Sequence, residues 1–298
     1  MEIGMLHTEQ RNPATVGITE MTDREMLEAI SRENENAALA VNATIPQIER
    51  ALALIVPRMK AGGRMVYMGA GTSGRLGMMD AAECRPTYGV AEGRVTFLIA
   101  GGLEAIYSAR ENAEDSAEAG RQDLIDFGLT DRDVLVAAAA SGRTPYCICG
   151  LDYAREIGAG TVSISCNPDA ILSSHAEVGI EADTGPEVIM GSTRMKAGTA
   201  QKMIMNMLST CAMIRLGRTY DNLMICVASK NEKLNNRMIR QFQEATGLSA
   251  EEARCSLEQT GGRLDAAVLH SLSGQDVETV FQTLQSTENF GEALKKLR

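Results

Sequence analysis

From Arg64 onward the chain switches repeatedly between two hydrophobic periodicities, and that switching limits its fold more than any other feature. The runs RMVYMG (64–69), RVTFLIAG (94–101), DVLVAAAA (133–140), GTVSISC (160–166) and AEVGI (176–180) are short and largely apolar, most with β-branched residues. Strands buried on both faces read this way. Helix-compatible segments separate most of them, and strands alternating with helices build a parallel sheet with right-handed crossovers and helices on both faces. The expected fold class is therefore α/β, a doubly wound parallel five-stranded sheet.

Ahead of the first run, Met26, Ile30, Ala37 and Val41, then Ile48, Leu52 and Ile55, recur at helical spacing behind a Thr22-x-x-Glu25 capping pattern. This predicts two or more N-terminal helices. Residues 199–216 read as one long Met-rich helix, after which the strand signal largely stops. The segments NEKLNNRMIRQFQEATG, SAEEARCSLEQTGG, RLDAAVLHSLSG and QDVETVFQTLQST are short amphipathic units, several closed by glycine as a helix C-cap is. The expected organisation is an N-terminal helical segment (1–54), a sheet domain (55–218) and a C-terminal helical bundle (219–298).

Charge and composition exclude several function classes. A formal net charge of −10 does not suit a nucleic-acid surface, which needs clustered Lys and Arg. No apolar run reaches the ~18–20 residues of a membrane span, and the N-terminus lacks the regions of a secretory signal, so a cytoplasmic location without membrane attachment is expected. The seven cysteines form no C-x-x-C, which fits reduced thiols better than a disulfide framework. His7, His175 and His270 are dispersed, without metal-ligand spacing, so no metal is expected.

The chemistry concentrates in two turns. In VYMGAGTSGRLG the first run leads into Gly71, Thr72, Ser73 and Gly74, with Ser73 placed to cap the helix that follows. Exposed N–H groups at such a helix start suit an anion. Gly69-x-Gly71-x-x-Gly74 also matches the spacing of a dinucleotide loop, but that fold requires an acidic residue at the end of the second strand, and Glu104 falls beyond it. Dinucleotide, sugar phosphate and plain tight turn all remain open at this point. The third run leads into Ser141, Gly142, Arg143 and Thr144 with Pro145 at a helix start, repeating the design. Two Ser-Gly-Arg turns at the carboxyl edge of one parallel sheet describe a crevice for a phosphate monoester, each charged hydrogen bond contributing ~1.5–3 kcal/mol when well formed.

The segments GAGTSGRLGMMDAAECRPTYG, AAASGRTPY, SISCNP and GPEVIMGSTRMKAGTAQKMIMNMLST together resemble the N-acetylmuramic acid 6-phosphate etherase family, whose members have a sugar isomerase (SIS) domain, over nearly the whole chain. The last of them resembles a signature shared with the glucokinase regulatory protein. One departure is that Arg85 stands before Pro86 where the resemblance leads one to expect a second proline.

The resemblance implies a flavodoxin-like SIS fold and a lyase that removes D-lactate from C3 of N-acetylmuramic acid 6-phosphate and adds water, giving N-acetylglucosamine 6-phosphate. Opening the sugar ring exposes an aldehyde at C1 and makes C2–H acidic, so elimination needs two acid/base groups and neither a metal nor a redox cofactor. By resemblance, Glu83 is the proton donor at the leaving oxygen and Glu114 the second group, the C2 base; the residues alone do not separate Glu114 from Glu104, Glu111 or Asp115. A donor at neutral pH needs a raised pKa, from burial or a neighbouring carboxylate. Ser192, Arg194 and Lys196 are expected near the site, with the lactyl carboxylate or the phosphate as the anion for either cation. Glu83 lies at the far end of the helix entered from the first turn. Either that helix is short and the chain bends back, or the site is completed by another subunit, and a homodimer is expected. A sugar-phosphate sensor and an aldose-ketose isomerase are the competing classes, the first not needing both glutamates and the second needing no acid at C3.

Overall fold

The computed structural model of the chain describes residues 3–108, 110–227 and 232–298. Its contacts group into two compact units, Met1–Ala82 with Gly93–Ser209, and Glu83–Glu92 with Thr210–Arg298.

In the first unit, Thr22 and Glu25 form the expected reciprocal cap on α1 (Asp23–Ala43): Thr22 N–H donates to Glu25 Oε2 at 2.8 Å and Glu25 N–H to Thr22 Oγ1 at 3.4 Å. Helix α2 (Ile45–Lys60) follows at 56°, with Pro46 in its first turn. Ile48, Ala51, Ile55 and Met59 form its buried stripe. No single helix among the described residues is long and apolar enough to cross a membrane.

Five parallel strands follow, β1 (Met65–Gly69), β2 (Val95–Ile99), β3 (Val134–Ala138), β4 (Gly160–Ser165) and β5 (Val178–Glu181), in the order β2-β1-β3-β4-β5. Every residue of β1, β3 and β4 is buried, which is why they read as unbroken apolar runs, while edge strands β2 and β5 are partly exposed. The doubly wound α/β reading is thus the observed architecture. The intervening helices are α3 (Gly71–Tyr88), α4 (Ala117–Phe127), α5 (Pro145–Glu156), α6 (Ile171–Ser174) and α7 (Lys196–Arg215). Leu124 of α4 and Tyr146, Leu151 and Ala154 of α5 cover one face, against Val66, Met68, Leu135 and Ala137.

This order reverses direction between β1 and β3, so their carboxyl ends lie side by side where the connections diverge, the place such sheets hold ligands. The N-terminal segment is fastened to the same edge. Thr8 N–H donates to Asn167 Oδ1 at 3.1 Å, Asn167 Nδ2 donates to Thr8 Oγ1 at 2.9 Å and to Ala140 O at 3.1 Å, and Thr15 Oγ1 donates to Val188 O at 2.8 Å.

The second unit contains the end of α3 and the helices α8 (Glu232–Thr246), α9 (Ala250–Gln259), α10 (Leu264–Ser273), α11 (Val277–Ser286) and α12 (Phe290–Leu297). Phe242, Leu264, Val268, Phe290 and Leu294 form its core. Ser249, Asp276 and Asn289 cap α9, α11 and α12 with their side chains.

Candidate active site

The β1 turn is tighter than its sequence suggests. Only Ala70 separates β1 from α3, and Gly71 takes φ +49°. A Cβ on Gly69 would lie 2.8 Å from Gly74 N, and one on Gly74 would lie 2.6 Å from Ile99 Cγ1 and 2.7 Å from Gly69 O. These two glycines let the helix start press onto the strand ends. The first bond from the helix start runs from Gly74 N–H to Ala70 O at 3.3 Å, so the N–H groups of Gly71, Thr72 and Ser73 precede the helical ladder. Ser73 is not the helix cap expected from sequence: it lies inside the first turn, and its Oγ donates to Gln201 Oε1 on α7 at 2.8 Å. Arg75 turns away to hold Ile106 O and Ala105 O at 2.9 and 2.7 Å, tying down the segment after β2.

The β3 turn is built differently. Gly142 takes φ +69°, a region that favours glycine, and a Cβ there would meet Ala170 Cβ at 2.5 Å. Arg143 N–H donates to Ser141 Oγ at 3.3 Å. Thr144 is the residue ahead of α5 and makes no side-chain cap, with Pro145 opening the helix. The backbone oxygen of Glu114 accepts from Tyr146 N–H at 3.1 Å, which sets Glu114 directly at the start of α5.

The acidic residues left open by sequence differ in their surroundings. Partial burial, and then the neighbouring Asp115 carboxylate, raise the Glu114 carboxyl above the ordinary glutamate range, although much of the residue's surface is exposed. Its charge is felt by buried Cys147 on α5, whose thiol is pushed up to about 12, chiefly by burial and then by Glu114. Glu104 instead forms an exposed ion pair with Arg110. The side chain of Glu111 lies outside those described.

Glu83 is exposed on α3. That helix runs from Gly71 to Tyr88 without the early end that would bring the chain back. At 1.5 Å per residue, Glu83 stands about 18 Å along the axis from Gly71. Between them sits Asp80, 5% exposed, whose carboxylate accepts from Tyr67 Oη at 2.7 Å and Ser209 Oγ at 3.0 Å and also from Asn206 Nδ2. Burial raises its pKa against those three bonds and the nearby Lys202 ammonium, all of which lower it.

The start of α7, with the loop before it, approaches the first turn: a Cβ on Gly198 would lie 3.3 Å from Thr72 Cγ2. Its side chains divide by role. Lys196 is 1% exposed and paired with Glu33 of α1. The α7 start is closed by Glu187, fully buried, which accepts from Lys196 N–H at 3.1 Å and Ala197 N–H at 3.0 Å. Ser192 is half-buried, with its N–H bonded to Ile189 O at 2.9 Å. Arg194 is exposed and in no ion pair among the described residues, so it is the cation of this loop left able to meet a ligand. Sequence reasoning missed Glu187, Gln201 and Asp80. All three lie in segments singled out from sequence, but helix-capping by a residue nine positions upstream and pairing across helices leave no local pattern.

A family model for the glucokinase regulatory protein N-terminal SIS domain matches residues 47–155, one for the SIS domain matches 105–211, and one for a UBA-like domain matches 236–270. The chain is 47% identical over 290 residues to the N-acetylmuramic acid 6-phosphate etherase of Serratia proteamaculans, covering 97% of this chain and 98% of that one. It is 53% identical over 253 residues to N-acetylmuramic acid 6-phosphate etherase 2 of Lactiplantibacillus plantarum, covering 85% of this chain and 86% of that one. Among solved structures, a phosphoheptose isomerase from Francisella tularensis superposes with a TM-score of 0.51 at 15% identity, over 64% of this chain and 98% of that one, a likeness of fold.

Proposed function

The chain belongs to the N-acetylmuramic acid 6-phosphate etherase family, and on that footing we propose that it cleaves the D-lactyl ether of N-acetylmuramic acid 6-phosphate, releasing D-lactate and N-acetylglucosamine 6-phosphate. The observation that carries the assignment to a site is the placement of both Ser-Gly-Arg turns at the adjacent carboxyl ends of β1 and β3, with Glu114 bonded to the second.

The phosphate is held by the N–H groups of Gly71, Thr72 and Ser73, with Gly74 allowing the close approach of helix and strand, together with Ser141, Gly142, Arg143 and Thr144, through helix-start dipoles and hydroxyl donors. With the sugar ring open, Glu114 takes the C2 proton. A base whose pKa is drawn upward by burial and by Asp115 accepts that proton more readily. The C2–H electron pair forms the C2=C3 bond as the C3–O bond breaks, and Glu83 protonates the departing lactate oxygen. Glu83 then deprotonates water, whose oxygen adds to C3 while a proton returns to C2. Arg194 faces one of the substrate's two anions; Lys196, already paired with Glu33, supports the loop.

Glu83 serves a crevice in a homodimer. An unbroken α3 supports this, as does the exposure of Glu83 in one subunit, because a proton donor at neutral pH needs the cover that a second subunit supplies. The enzyme works in the cytoplasm, where its cysteines remain free thiols, and its net charge of −10 disfavours nucleic acid. Incubation with the substrate in deuterated water tests the reaction: lactate should appear with deuterium at C2 of the product, and absence of both overturns the assignment. A mass in solution that stays monomeric at every concentration overturns the dimer.

A further inference from the structure

Gln201 is 1% exposed, and its two amide atoms are unequally served. Oε1 accepts the Ser73 hydroxyl proton at 2.8 Å, while Nε2, shut off from solvent, has no hydrogen-bond partner among the described residues. A buried N–H donor without an acceptor costs more, and is rarer, than a carbonyl with a spare lone pair. The pairing also disarms Ser73. A hydroxyl has one proton; with that proton committed to Gln201, Ser73 Oγ can only accept, and a phosphate dianion has no proton to give it.

A half-turn of the carboxamide about Cγ–Cδ removes both difficulties. Nε2 then donates to Ser73 Oγ, the unserved atom becomes a carbonyl oxygen, and the Ser73 proton is released. We propose that Gln201 is a positioning residue acting through Ser73: with substrate bound, its carboxamide stands turned over, and Ser73 donates to a phosphate oxygen. This rests on the reading that the β1 turn holds the phosphate. It explains why an amide suits this helix interior, since a glutamate could only accept and an aliphatic residue could do neither.

The test measures KM and kcat for lactate release with Ser73→Ala, Gln201→Met, the double variant and Gln201→Glu, each with its melting temperature. Loss of one charge-assisted hydrogen bond predicts that Ser73→Ala and Gln201→Met each raise KM about tenfold, with the effect falling on KM rather than kcat. The double variant should be no worse than Ser73→Ala alone, because Gln201 acts only through the Ser73 hydroxyl that this change removes. Gln201→Glu should raise KM further by fixing the proton on Ser73 and adding like charge. A lowered melting temperature with unchanged KM in Gln201→Met overturns the proposal, as does a product of the two single effects in the double variant. If Gln201→Met does not fold, an unchanged KM in Gln201→Glu overturns it equally. An unchanged KM in Ser73→Ala overturns the phosphate seat itself, and the role of Gln201 with it.

Discussion

After β1, Ser73-Gly74-Arg75 lies inside the first turn of α3; after β3, Ser141-Gly142-Arg143 lies ahead of α5. The tripeptide is the same and its physical use is not. At the first turn the side chains serve the protein's own architecture. Ser73 reaches α7, Gly74 admits the Ile99 side chain, and Arg75 holds two carbonyls beyond β2. At the second, the left-handed glycine bends the chain before the helix begins, and the helix start receives the backbone of Glu114. A shared motif therefore marks a shared location, the carboxyl edge of the sheet, while the two residues after the motif decide whether it lies within a helix or outside one. Pro145 fixes the helix start after Arg143, and nothing equivalent follows Arg75.

The largest effect should come from separating the acids that the two turns bring near them. Glu114→Gln should lower kcat by ~10²–10⁴ with little change in melting temperature. Glu104→Gln removes an exposed pair with Arg110 and should leave kcat within about twofold. Equal losses in the two variants would erase the distinction drawn between them. Next, Gly74→Ala should cost about 2–3 kcal/mol in denaturant unfolding, because its new methyl meets Gly69 O at 2.7 Å as well as a movable Ile99 side chain. An unfolding midpoint at the wild-type value would show that the first turn has room to spare.

Two smaller effects depend on pH. The native Asp80 carboxyl binds its proton more tightly than the unfolded one, whose value is 3.8, so its contribution to stability is fullest below that pH and is lost as pH rises through the higher native value. Asp80→Asn should abolish this loss; a wild-type stability curve parallel to that of the variant from pH 3 upward would contradict it. A proton on Asp80 also suits its surroundings, since Tyr67 Oη has one proton for both Asp80 Oδ2 and Met205 O, at 2.7 and 3.2 Å. At the second turn, Asp115→Asn withdraws a charge that raises Glu114, so the acidic limb of the kcat/KM profile should move to lower pH without reaching the ordinary glutamate position, burial being the larger cause. A limb that stays put would leave Asp115 without influence on the base.

Much of the sheet was legible because β1, β3 and β4 are buried on both faces and so leave continuous apolar runs, and the Thr22–Glu25 box was legible because both partners lie within one turn. Helix α7 starts at Lys196, three residues before the expected 199, since the carboxylate that satisfies its first N–H groups comes from Glu187 across a loop. Ser73 looked like a cap because a serine after glycines has that composition; its actual partner is a glutamine on α7. Pairings between elements distant in sequence, such as Lys196 with Glu33, have no periodicity to betray them. The grouping of Glu83–Glu92 with Thr210–Arg298 is invisible for the same reason. Within that unit Tyr88 Oη bonds Thr210 Oγ1 at 3.2 Å, and a Cβ on Gly89 would lie 2.2 Å from Cys226 O.

The start of α7 already has an occupant. The Glu187 carboxylate is tethered to the helix it caps, so its effective concentration there stays high at any dilution, and a free anion of ordinary affinity does not displace it. Buried beneath the loop, it closes that helix start: the N–H groups of Lys196 and Ala197 that a free anion would seek are already spent within the protein.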